Sequence, residues 1–120
     1  MADGLLVGAG LLRRAAARLE ELDAAATPLP WTAHPEDRDR DGDVPVRTPS
    51  GFLCESPDDG VRGGHAEADA ALIVALRAAA GPVAVWLRSE ADRRADRDHR
   101  WSPHAEAVAR AVLGEEAARG

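Results

Sequence analysis

Asp37, Asp39 and Asp41 recur at alternate positions and run into Gly42 and Val44. This order matches the first part of the calcium loop of helix–loop–helix proteins. There, carboxylates at positions one, three and five converge on the ion and glycine lets the chain turn. The chemistry implied is weak calcium coordination. The rest of the loop departs from that pattern: Pro45 takes the ninth position and Thr48 the twelfth, where a bidentate glutamate is needed. Arg38 and Arg40 also offset the acids from within. A solvated Asp/Arg loop is the plainer reading, with a calcium site at Asp37, Asp39 and Asp41 as its competitor.

The remaining chemistry-bearing residues are more scattered. His34, His65, His99 and His104, joined by Glu67 or Asp69, are the candidates for a histidine-metal enzyme. His65, Glu67 and Asp69 alternate by two, which does not place them on one helical face, so surface histidines are expected. Gly8-Ala9-Gly10 follows Leu5-Leu6-Val7 as a nucleotide-binding turn would, but Arg13 stands at the third glycine position. Cys54 is the only cysteine, which excludes an intrachain disulfide and a cysteine-rich zinc site and suits a small core residue. No G-x-S-x-G motif is present. No catalytic residue is therefore assigned, and a non-enzymatic protein without a required cofactor is expected.

These residues must be positioned by elements that the spacing defines. Leu12, Ala15, Leu19, Leu22 and Ala26 follow helical spacing over 11–26, ended by Thr27-Pro28-Leu29-Pro30. Residues 31–56 hold a charged loop at 36–43 and two β-like pieces, Val44–Arg47 and Phe52–Glu55. Thr48-Pro49-Ser50-Gly51 between them has hairpin turn chemistry. Pro45 marks the first piece as an edge strand, and Trp31-Thr32-Ala33 is a third candidate strand. Helices are expected over 66–80, 82–98 and 103–118, with Gly81-Pro82 as a break and Ser102-Pro103 as a cap and first turn. The fold class is thus α+β in a single small domain: an N-terminal helix, a two- or three-stranded antiparallel meander, and a helical C-terminal half. Leu72, Leu76, Leu87, Trp86 and Val108 are expected in a core or an interface.

Composition narrows the partners. Of 120 residues, Leu, Ile, Val and Phe supply only 23, whereas alanine supplies 26. Alanine forms helix well but buries little area, so the core is small for the length. All 15 basic residues are arginine and the net charge is −6, a usage that suits a high-GC genome. Arg88, Arg93, Arg94, Arg97 and Arg100 are interleaved with Glu90, Asp92, Asp96 and Asp98, a solvated salt-bridged face rather than a nucleic-acid surface. No apolar run of the ~18–20 residues that span a bilayer is expected, and Asp3 sits where a signal peptide needs a base. A cytoplasmic protein follows. Trp31, Trp86 and Trp101 are three of the four aromatics. All three can anchor a core, and Trp101 and Trp86 are the candidates for an interaction surface.

Ala25-Ala26-Thr27-Pro28-Leu29-Pro30-Trp31 resembles the "ATPGPW" signature of small actinobacterial and actinophage proteins of unknown function. Asp69-Ala70-Ala71-Leu72-Ile73-Val74-Ala75-Leu76-Arg77, followed by Pro82, resembles the "DAxFIAxAR" helix of the same family. The stretch Pro103–Ala111 resembles the ending of its streptomycete members. The likeness covers roughly residues 11–113, and it departs at Leu29, where the family has glycine, and in the acidic insert 36–43. It implies phage or prophage descent and brings no activity with it. The expected role is a small interaction or regulatory protein that meets a protein partner or a second copy of itself as a homodimer, with no nucleic acid and no membrane.

Overall fold

The computed structural model describes residues 8–57, 65–94 and 102–114. Helix α1 spans Gly8–Ala25, three strands follow (β1 Thr32–Ala33, β2 Val44–Thr48, β3 Gly51–Ser56), and α2 (Ala66–Arg94) and α3 (Pro103–Leu113) complete the described elements. This is the α+β order of one helix, an antiparallel meander and a helical C-terminal part. The chain divides into two compact units, one of residues 1–25 with 80–120, the other of residues 26–79. α2 contributes its first half to the second unit and its remainder to the first.

The β unit is built around a hairpin. β2 lies between β1 and β3, with Val46 opposite Cys54 and Thr48 opposite Gly51. The turn closes as its residues dictate. Thr48 Oγ1 accepts from the Ser50 amide at 3.2 Å, and Gly51 takes φ +119, a conformation that disfavours a side chain. A bulge between Val46 and Arg47 skips Leu53 and restores the alternation beyond it. Pro45 thus sits in the central strand, not at an edge. It is tolerated because β1 is two residues long: the Pro45 carbonyl accepts from the His34 amide at 2.9 Å, and the donor that proline lacks would point past the end of β1. The His34 carbonyl, left without a donor from residue 45, accepts instead from the Asp37 amide at 3.0 Å. That bond closes the 3-10 turn Pro35–Asp37. Val44, Val46, Ala66 and Ala70 form this unit's core, with Trp31, Ala33, Leu53, Cys54 and Val74 packed around it.

The other unit is helical. Leu11, Leu12, Ala15 and Ala16 of α1 meet Ala84, Leu87 and Ala91 of α2 and Ala105 and Ala109 of α3 in one buried cluster. Leu87 is fully buried and Val108 packs against the cluster, as expected of both. Polar cross-links lie outside it: Arg88 Nε donates to Glu20 at 2.8 Å and Arg13 pairs with Asp92 at 3.4 Å. α3 begins at Ser102, whose Oγ accepts from the Ala105 amide at 3.4 Å, and stops at Gly114 with φ +75.

α2 departs from expectation in one respect. It runs unbroken through Gly81-Pro82 for 29 residues. Proline in a helix interior removes one hydrogen bond and crowds the residue before it, partly through that residue's Cβ. Glycine at 81 has no Cβ, and Ala78, Ala79 and Ala80 before it favour helix, so the helix continues. The consequence is an apolar length that the expected break had hidden. Ala70–Leu87 contains one charged residue, Arg77, and α2 is long and apolar enough, by length and composition, to cross a membrane, with 17% of its most apolar window buried. The expectation of no such run is corrected accordingly.

Candidate functional site

Two groups of residues in the β unit have the geometry to meet something else. The first is the outward face of the first half of α2. Ala66 and Ala70 are buried against Val44 and Val46, and Val74 is half-buried on the same side. At about 100° per residue, Ala68, Leu72, Ala75 and Leu76 fall on an arc of roughly 100° on the opposite side. These four are exposed, Leu72 at 58% and Leu76 at 63%, and Ile73 extends the patch at 40%. Beyond Glu67 and Asp69 of the first turn, the one charge in this half of the helix, Arg77, is turned toward the sheet side. Its Nη2 donates to the Thr27 carbonyl at 3.2 Å and its guanidinium carbon stands 5.2 Å from the centre of the Trp31 ring. Trp31 Nε1 donates to the same carbonyl at 2.8 Å. The Arg77–Trp31 stack thus keeps this one charge off the outer face, where the exposed Asp69 borders the apolar patch.

The second group lies on the loop between β1 and β2, and here the structure separates residues that spacing had joined. Asp37 ends the 3-10 turn, where Arg47 Nη1 donates to its Oδ2 at 2.6 Å. It clusters with His34 and Glu36, one potential ligand atom from each lying within 4.8 Å of the others. Asp39 and Asp41 instead cluster with Asp43, by the same measure. Asp39 Oδ1 accepts from the amides of Asp41 and Asp43 at 2.8 and 3.0 Å, so this trio is a loop drawn around one carboxylate. Glu55, on β3, feels it. Desolvation first, then the charges of Asp39 and Asp43, raise its pKa above the ordinary glutamate value.

The remaining sequence candidates are placed as follows. Trp86, in the helical unit, is 37% exposed, next to Val85 at 69%. Trp101 lies outside the described residues. Asp43 was legible as the next member of the alternating series. The grouping of His34 with Glu36 and Asp37 was not, because it depends on a 3-10 turn that no local motif announces. The pairing of Arg77 with Trp31 joins residues 46 apart in the chain and had no signal at all.

No family model, curated protein or solved structure matches the chain.

Proposed function

We propose that the protein is a small non-enzymatic interaction module that binds a protein partner through the outer face of the first half of α2. The observation that carries this reading is the exposure of Leu72 and Leu76 on a helix whose opposite side already packs on the sheet. Covering a leucine fully gives about 1.5–3 kcal/mol, so filling the remaining exposure of both favours association by a few kcal/mol. Contiguous apolar surface of this kind marks contact sites in soluble proteins. A protein partner is favoured over a bilayer because α2 is packed along one side. Ala66 and Ala70 are buried in one unit and Ala84, Leu87 and Ala91 in the other, so protein already covers one side of the helix at both ends of its apolar stretch.

The test uses the full chain and the double variant Leu72→Glu, Leu76→Glu. Both side chains stand in water, so the thermal midpoint should hold within a degree or two. Sedimentation velocity across a wide concentration range then reads self-association, and a dimer returned to monomer by the double variant would identify a second copy as the partner. Flotation with phospholipid vesicles, abolished by the same variant, would contradict the reading.

A further inference from the structure

The His34, Glu36 and Asp37 group carries an inference independent of the helix face. We propose that these three residues form a binding site for a divalent transition-metal cation of the zinc class. The 3-10 turn Pro35–Asp37, entered from His34 at its N-cap, gathers the three side chains so that one potential ligand atom from each lies within 4.8 Å of the others. His34 Nδ1 lies 2.7 Å from Glu36 Oε1. Two donor atoms each about 2.1 Å from a tetrahedral cation stand about 3.4 Å apart, so the hydrogen-bonded pair has to open by about 0.7 Å, a small side-chain rotation, to admit one. A cation there takes the place of the shared proton.

What separates this group from an ordinary acidic loop is the support behind two of its three donors. His34 Nε2 is held at 2.8 Å by Thr32 Oγ1. With Nδ1 given to a cation, Nε2 carries the proton and donates it to that hydroxyl, the outer contact that orients ligating histidines. Asp37 is held through Oδ2 by Arg47, which leaves its other oxygen for the cation and fixes the carboxylate plane. An imidazole with two carboxylates suits zinc and its neighbours rather than calcium, which takes oxygen ligands only. Remaining coordination positions fall to water, since His34 is partly and Glu36 largely exposed.

Isothermal titration of Zn²⁺ into the full chain tests the site, with the thermal midpoint of each variant as the check on folding. One equivalent is expected. Affinity should fall at least tenfold in His34→Ala and in Glu36→Gln, fall severalfold in Thr32→Val, and stay unchanged in His65→Ala and His104→Ala. Glu36 is an exposed side chain, so its variant keeps the test valid should His34→Ala unfold. Absence of zinc binding, binding indifferent to His34 and Glu36, or a preference for Ca²⁺ lost in Asp39→Asn would each overturn the proposal.

Discussion

Leu87 and Leu72 show how little the residue type alone says about its place. Both are leucines on α2, one fully buried among Leu11, Ala15 and Ala105 and the other 58% exposed. Leu87→Ala should therefore cost about 2–5 kcal/mol of unfolding free energy, read from urea titration, because it leaves a cavity that small neighbours cannot collapse into. Leu72→Ala should change the same measurement by less than about 0.5 kcal/mol. Equal losses would mean that Leu72 is covered in solution. The alternating aspartates were legible as a carboxylate cluster. Which carboxylates converge was not, since Asp37 pairs with Arg47, ten residues on, and groups with His34 and Glu36 while Asp39 and Asp41 group with Asp43. Helical spacing places Leu72 and Leu76 on one side of α2. It cannot say which of two apolar sides packs, and over Ala70–Leu87 both sides are apolar.

Among the elements, the hairpin and the cap of α3 followed from turn chemistry that acts within four residues, and so could be read locally. The continuity of α2 could not, because it depends on a balance between the cost of Pro82 and the helix preference of the alanines before it. That balance is testable. Pro82→Ala restores an amide donor to the Ala78 carbonyl and should raise stability by about 1–3 kcal/mol if the helix is continuous in solution. A loss of stability or of helical circular dichroism would show that proline ends a helix there. Pro45 teaches the converse lesson. A central-strand proline is acceptable where the neighbouring strand is too short to ask for its amide.

For the whole molecule, the small core leaves stability exposed to charge. Glu20 has its pKa lowered, chiefly by the hydrogen bond from Arg88. Its contribution is present above the unfolded glutamate value and is lost as pH falls through the lower folded value. Glu55 works with the opposite sign. Its raised pKa means that the stability linked to its proton is present at low pH and is lost as pH rises through the folded value. Glu55→Gln should thus raise the thermal midpoint at neutral pH and leave it unchanged well below the carboxylate range, whereas Glu20→Gln should lower it at neutral pH. A Glu55→Gln midpoint that is lower at neutral pH would show that the carboxylate is held by a favourable contact instead. The same shortage of core explains why an apolar face on α2 matters: a chain with 23 large aliphatic and phenyl side chains in 120 residues leaves several of them in water.

The central claim is that a protein covers Leu72 and Leu76, and site-specific photocrosslinking tests it most directly. A photoreactive residue at position 76, in cells that produce the full chain, should give one discrete protein adduct, either a second copy or a single partner. The same residue at Asp92, exposed on the far part of α2, should not. Equal labelling at both positions, or adducts to lipid alone at position 76, would contradict the account.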